Sequence, residues 1–259
     1  MKIKLVAIGA LLALTACGGG AQTTAPNAAS DAPAGKKVVA ATAWEAALAK
    51  AAGATDVKVV VPATVAHAAD YDPKPSDLAA VATADLVLYA EFEGFAARLK
   101  EAAGGSAKVE AVKLENAPEV VRAEVTRLAG LLGTTPAAQE WLKRFDSTLA
   151  EAKTQVSGSF PGGKAPRVVS HAFVAYMAAI TGAEVVGTFG PQPVTPAQLA
   201  ELSGKQPDLV FDNVHMSTGT VLPGSSAKQV KIVNYPGEDL DLLGVFKTNA
   251  EEISKALKA

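Results

Sequence analysis

The chain has 259 residues, with 24 Lys and Arg against 26 Asp and Glu, which gives a formal net charge of −2 at pH 7. This balance, and the lack of a basic cluster, argue against a nucleic-acid partner. Hydrophobic residues make up 49% of the chain but aromatic residues only 5%, which favours alanine-rich helices packed closely on sheets. Cys17 is the only cysteine, so the chain can form neither an internal disulfide nor a thiolate metal cluster.

The N-terminus has the pattern of a targeting segment. Lys2 and Lys4 precede an apolar run over 5–14, and about ten apolar residues are too few to span a bilayer. The run ends in Leu-Thr-Ala-Cys, which resembles the bacterial lipobox, where the signal is cleaved before a cysteine that is then lipidated. This implies a signal peptide over 1–16 and an extracytoplasmic protein of the cell envelope, anchored to a membrane by roughly two or three acyl chains on Cys17. The alternative is an ordinary secretory signal followed by a chance cysteine.

A tether is expected over 17–36. After the cysteine it reads GGGAQTTAPNAASDAPAGK and contains almost no bulky apolar residue, so it cannot bury enough surface to offset its chain entropy. The remaining body of about 220 residues is long enough for two small domains or one large one.

Short β-branched runs recur through the body, and each is followed by a helix-like stretch. The first series of predicted strands is 37–41, 57–61, 85–89 and 109–113. The second series is 167–170, 184–187, 208–211 and 231–234. Apolar strands that alternate with helices indicate parallel sheets covered on both faces.

The alternation is interrupted once, by a helical region at 117–155 that carries no strand signal. The sequence therefore predicts an α/β fold of two parallel-sheet lobes joined by a single long linker helix, with a cleft between the lobes. The expected boundaries are 37–133 for the first lobe, 134–157 for the linker helix and 158–259 for the second lobe.

The chain contains three histidines, and each follows a predicted strand: His67, His171 and His215. In open parallel sheets, ligands bind outside the carboxyl ends of the strands. Imidazole suits Zn²⁺ and other late divalent metals, so the three side chains are candidate ligands of one metal. The alternative is that each is a loop histidine with its own hydrogen-bond partner.

A carboxylate often completes such a ligand set. Asp212 follows the strand at 208–211, and Glu91 and Glu93 follow the strand at 85–89. We expect Asp212 first, as a ligand or as a partner of one, and Glu93 next.

The body resembles the periplasmic metal-binding proteins of ABC importers, the zinc and manganese group whose lobes are joined by a rigid long helix. The first motif is VVVPATVAHAADYDPKPSDLAAVATADLVLYAEFEGF, similar to the family's pattern of a histidine, an aromatic, Pro-Ser-Asp, Ala-Asp-Leu-Val and a glutamate. SHAFVAYMAAITGAEV is similar to its His-Asp-Ala-Phe-x-Tyr segment, and PDLVFDNVH lies near its Phe-x-Glu turn. These motifs occur in the family's order at comparable spacing.

Some positions depart from the family's pattern. Many members carry a second histidine in an Asp-Pro-His motif, yet residues 105–135 contain no histidine. His171 is displaced by one from the family's histidine, at whose place Ser170 falls. The late aspartate of manganese-type members corresponds roughly to Asn234. His215 therefore reads as a substitute for the missing histidine.

The resemblance implies a lipid-anchored solute-binding protein that captures a divalent metal and delivers it to an ABC permease. Zn²⁺ is expected, with Mn²⁺ possible, and we expect a monomer without enzymatic activity. The expected ligands are His67, His171, His215, Asp212 and Glu93. The alternatives are a binding protein for a metal chelate or haem, a metal chaperone, and a metal-dependent hydrolase, for which the sequence supplies no substrate pocket.

Overall fold

The computed structural model describes residues 35–62, 64–65, 68–217 and 219–258. The expected signal peptide, residues 17–34 of the expected tether with Cys17, and the candidate ligand His67 lie outside these residues. None of the described helices combines the length and the apolar character needed to cross a membrane.

The first lobe is built on a four-stranded parallel sheet in the order β2-β1-β3-β4. Its strands are β1 (Lys37–Ala40), β2 (Asp56–Val59), β3 (Leu86–Tyr89) and β4 (Lys108–Ala111). Its helices are α1 (Ala43–Ala51), α2 (Pro75–Ala82) and α3 (Ala96–Ala103). Neighbouring residues of the central strands point to opposite faces, so Val38 and Leu86 enter one hydrophobic cluster while Val39 and Val87 enter another. Burial on both faces explains the unbroken apolar runs.

The second lobe repeats this arrangement with a parallel sheet in the order β6-β5-β7-β8. Its strands are β5 (Arg167–His171), β6 (Glu184–Phe189), β7 (Leu209–Asn213) and β8 (Lys228–Ile232). Its helices are α6 (Tyr176–Thr181), α7 (Pro196–Gly204) and α8 (Leu242–Lys258). The two sheets with their surrounding helices confirm the predicted class of two α/β lobes.

One strand differs from its predicted position. The sequence predicts the last strand at 231–234, but β8 begins at Lys228, where the backbone amide donates to the carbonyl of Asp208. The buried residues of β8 are Val230 and Ile232. The strand therefore starts three residues before the predicted one. Asn234 consequently lies beyond the strand, at its carboxyl end.

Two helices lie between the sheets along the chain: α4 (Pro118–Leu132) and α5 (Thr135–Ser157). The 23-residue α5 packs against α8, where Phe145 meets Phe246 edge to face at 5.3 Å between ring centroids. Both rings belong to a hydrophobic cluster that contains buried residues of both sheets. This shared core holds the lobes together behind their carboxyl edges.

Candidate ligand-binding cleft

A cleft of about 1820 Å³ lies between the two lobes. Its walls are formed by the segments that follow the four strands of each lobe, from β1 to β4 in the first and from β5 to β8 in the second. The carboxyl ends of both parallel sheets therefore face it, and in open α/β sheets this is the edge at which ligands bind.

Two buried glutamates support the first-lobe wall. Helix α1 begins with a capping box, in which the Glu45 Oε2 atom accepts hydrogen bonds from the Thr42 amide at 3.0 Å and from the Thr42 hydroxyl. The Glu93 Oε2 atom accepts from the Ala90 amide at 3.0 Å. Because β1 and β3 are paired neighbours, the segments that follow them bring the two carboxyls to one place. The Oε1 atom of each is buried and has no hydrogen-bond partner among the described residues.

Burial keeps this pair from carrying its full charge. It raises the pKa of Glu45, and burial together with the charge of Glu45 raises the pKa of Glu93 to about 9. The pair therefore retains a proton at neutral pH, and the two carboxyls carry at most one negative charge between them.

His171 ends β5 and is buried in the second lobe. Its Nδ1 atom accepts from the Phe173 amide at 3.2 Å, and its ring packs against Phe173 and Phe189 with centroids 5.3 and 5.4 Å away. Burial lowers the pKa of His171, and the nearby charge of Asp212 opposes that shift. The Nε2 atom is buried without a partner among the described residues. His171 thus lies behind Phe173, which lines the cleft.

Asp212 is also buried, at the carboxyl end of β7. Its Oδ2 atom accepts from the Ser217 hydroxyl at 2.6 Å and from the Gln229 amide group at 2.8 Å. The carboxylate therefore ties the segment after β7 to β8 and is engaged within its own lobe.

His215 reaches the cleft from the short 3₁₀ turn Val214–Met216. Its ring stacks on Tyr235 with centroids 3.6 Å apart, and Tyr235 stacks in turn on Trp44 of the first lobe at 5.5 Å. Burial lowers the pKa of His215 to about 4, so the ring is neutral at physiological pH. Its Nε2 atom is buried and has no partner among the described residues.

A polar network that sequence reasoning missed also joins the lobes at the cleft. The buried Asn116, which follows β4, donates from Nδ2 to the carbonyl of Asn234 and to the Tyr176 hydroxyl, the latter at 3.3 Å. Tyr176 donates to the Val233 carbonyl at 3.2 Å, and the buried Asn249 donates to the same carbonyl at 2.8 Å. The resemblance singled out Asn234 and segment 105–135, but no motif marked Asn116 as an interlobe residue.

The structure thus separates the candidate ligands. Glu93 and His215 line the cleft from opposite lobes, whereas His171 and Asp212 are buried together in the second lobe, and His67 lies outside the described residues. Within the described parts of the chain, no group of three His, Cys, Asp or Glu side chains is placed to hold a metal ion.

The mouth of the cleft is apolar. Phe92 is 69% exposed, Phe173 51% and Met216 40%, and they follow β3, β5 and β7. All three line the cleft. Exposed large apolar side chains gathered at one place indicate a binding surface.

No family model matches the chain, and no curated protein sequence matches it. Among solved structures it is similar to Lmb of Streptococcus agalactiae, described as a bifunctional protein with adhesin and metal transporting activity (18% identity, TM-score 0.65, 86% of this chain and 100% of Lmb covered). It is also similar to the solute-binding protein FpvC of Pseudomonas aeruginosa in complex with Mn²⁺ (17%, 0.63, 86% and 96%). A third is the periplasmic haem-binding protein BhuT in complex with two haems (21%, 0.60, 86% and 99%). The chain shares the fold of these binding proteins, which confirms the fold that the motifs predicted.

Proposed function

We propose that the chain is an extracytoplasmic solute-binding protein that captures a metal cargo between its lobes and delivers it to an ABC permease. The observation that carries this proposal is the cleft between the carboxyl edges of two parallel sheets. Proteins of the same fold are described as binding Mn²⁺ or haem or as having metal transporting activity. Anchoring through Cys17 and action as a monomer without catalysis belong to the same proposal.

The geometry favours a cargo in which the metal is part of an organic complex. Metal–ligand bonds are about 2 Å long, so a bare ion needs only a small, tightly closed site. The cleft of about 1820 Å³ exceeds that need many times over. Organic ligands bind in apolar, aromatic-lined clefts with a few polar groups, and Phe92, Phe173 and Tyr235 supply such a lining. A metal chelate or a haem is the class of ligand that fits this surface.

A bare Zn²⁺ or Mn²⁺ ion is the second candidate. It is favoured by Glu93 and His215, which face the cleft from opposite lobes, with His67 as the expected third ligand. In this version His171 and Asp212 join the set only after the second-lobe wall rearranges, since both are buried there. Neutral imidazoles would bind the ion, so its affinity should fall once acidification protonates them, which for His215 happens near its lowered pKa of about 4.

One purification distinguishes the two forms of cargo. The protein, expressed with its signal in a bacterial host and purified without added metal, is examined by native mass spectrometry and elemental analysis. We expect a bound organic species together with an equimolar metal. Stoichiometric zinc without an organic species would support the bare ion instead. Protein that carries neither, and that binds neither haem nor Zn²⁺ below about 10 µM (roughly −7 kcal/mol) in calorimetry, would overturn the proposal.

Matched variants then locate the site. Phe173→Ala should weaken an organic cargo because it removes an exposed aromatic surface, whereas His215→Ala should weaken a bare ion because it removes a ligand. Glu115→Gln changes an exposed glutamate on the cleft wall and serves as the control for both.

A further inference from the structure

Glu45 and Glu93 form a buried acidic pair without a cation. Glu45 is fully buried and Glu93 is 3% exposed. Every ion pair found in the described parts of the chain involves other carboxylates. A carboxylate charge taken out of water is unfavourable unless a cation or several hydrogen-bond donors compensate it. The hydrogen bonds from Thr42 and Ala90 use one oxygen of each side chain and leave Oε1 of each without a donor.

Trp44, the residue that precedes Glu45 in the chain, gives a second, independent observation. It lies in the first turn of α1, lines the cleft and is 8% exposed. Its Nε1 donor is buried and has no acceptor among the described residues. Buried polar groups in native proteins nearly always have a partner, so three unpartnered polar atoms on one wall require an explanation.

A purely structural role explains only part of this arrangement. Capping of α1 accounts for Oε2 of Glu45, and one proton shared by the two carboxyls would join their Oε1 atoms. The remaining negative charge and the indole N–H of Trp44 still have no counterpart. A ligand group that enters the cleft supplies both.

We propose that Glu45, Glu93 and Trp44 form a subsite on the first-lobe wall that binds a cationic nitrogen group of the cargo, an ammonium or a guanidinium. The cation donates hydrogen bonds to the two Oε1 atoms, and the indole of Trp44 donates to an acceptor atom of the same ligand. The inference rests on the proposed function, in that it assigns a charged group to the organic part of the cargo.

Access to the subsite follows from the interlobe stack. Trp44 lies against Tyr235 of the second lobe, with centroids 5.5 Å apart. Parting this contact exposes the indole to the cleft, and restoring the contact covers it again. Binding at the subsite is thus coupled to the approach of the lobes.

The test uses small probes that isolate the charge. Methylguanidinium and methylammonium are compared with methylurea, the neutral counterpart of methylguanidinium, by saturation-transfer NMR on the full chain freed of cargo. We expect a cationic probe to bind and methylurea to bind at least about tenfold more weakly, because hydrogen bonds between charged groups are the stronger ones. Glu45→Gln and Glu93→Gln should each weaken cation binding by a similar factor, while Glu251→Gln, at an exposed position of α8 outside the cleft, should leave it unchanged.

The outcomes are separable from those for the proposed function. Both Gln variants keep an oxygen that can accept the capping bond, and circular dichroism checks their fold. If neither cation binds, or if methylurea binds equally well, the subsite is wrong, whatever the variants do. Cation binding that survives both Gln substitutions also overturns it. If the protein binds the cation but no metal complex, the subsite stands and the proposed function is wrong. If it binds a metal complex but not the cation, only the subsite is wrong.

Discussion

The two walls of the cleft are built on the same strand order, yet their chemistry is opposite. The first lobe brings Glu45 and Glu93 to its carboxyl edge, and the second brings His171 and His215 to the equivalent edge. Burial raises the pKa of the acids and lowers the pKa of the imidazoles. Burial therefore favours the neutral, protonated form of the carboxyls in the first-lobe wall and the neutral, unprotonated form of the imidazoles in the second-lobe wall. A shared topology sets where functional side chains gather, while the connecting segments decide which chemistry is placed there.

This difference predicts that the two walls change the stability of the protein with pH in opposite directions. A group whose pKa is raised by folding loses its contribution to stability as the pH rises, and a base whose pKa is lowered loses its contribution as the pH falls.

The largest effect is expected from Gly190→Ala in the second-lobe wall. Gly190 has φ +82°, and a Cβ added there would lie 2.4 Å from Nε2 of His171. Left-handed strain and overpacking should together lower the free energy of unfolding by about 3 kcal/mol in urea titrations. Gly182→Ala is the matched control, because Gly182 has φ +81° but open space around its Cβ position.

A second substitution identifies the cause of that loss. His171→Ala in the Gly190→Ala background should recover the part of the loss that comes from the clash, which a double-mutant cycle measures. If Gly190→Ala is no more destabilising than Gly182→Ala, then a clash with His171 does not contribute to the loss of stability.

Glu93→Gln should reduce the loss of stability that we expect as the pH rises. Because the pKa of Glu93 is raised from 4.5 to about 9, the folded state keeps a proton that the unfolded state releases. Stability should therefore fall as the pH rises between about 4.5 and 9, by at most about 1.4 kcal/mol per pH unit. We expect the parent chain, freed of cargo, to lose about 2 kcal/mol between pH 6 and 8 in urea titrations, since one proton sets that slope.

Glu93→Gln should lose much less over the same range, while Glu115→Gln should behave as the parent does. Equal slopes in the parent and in Glu93→Gln would show that this carboxyl ionises freely in the folded protein.

The smallest effect is expected from His215→Gln, on the acid side. Burial lowers the pKa of His215 from 6.5 to about 4, so on acidification the unfolded state takes up a proton before the folded state does. The parent should lose about 1 kcal/mol between pH 6.5 and 5 from this residue, because the slope per proton is at most about 1.4 kcal/mol per pH unit. His215→Gln should lose less.

Above pH 7 the two proteins should show the same pH dependence, because the imidazole is then neutral in both states. A difference in the free energy of unfolding between the two proteins at pH 8 would come from the lost stacking on Tyr235, because the ring carries no charge there.

Much of the fold could be predicted from the spacing of apolar residues. The sheets appear where β-branched runs alternate with helical patterns, because buried parallel strands must be apolar on both faces. The predicted strand at 231–234 misses the start of β8 because Lys228 and Gln229 are polar and carry no apolar signal. The site was less predictable. His171 and Asp212 were correctly placed at strand ends by their positions in the sequence, but a strand end does not determine whether a side chain faces the cleft or the lobe interior.

The sequence by itself determined the α/β alternation and placed His171, His215, Asp212 and Glu93 after predicted strands, because the periodicity of apolar residues is a local property of the chain. Tertiary packing alone decided the rest. It buried His171 behind Phe173, engaged Asp212 with Ser217 and Gln229, and stacked His215 on Tyr235. It also brought Glu45 beside Glu93, from segments that follow two different strands. Such contacts depend on which loops meet in space, and residues far apart in the chain carry no local signal of their partners.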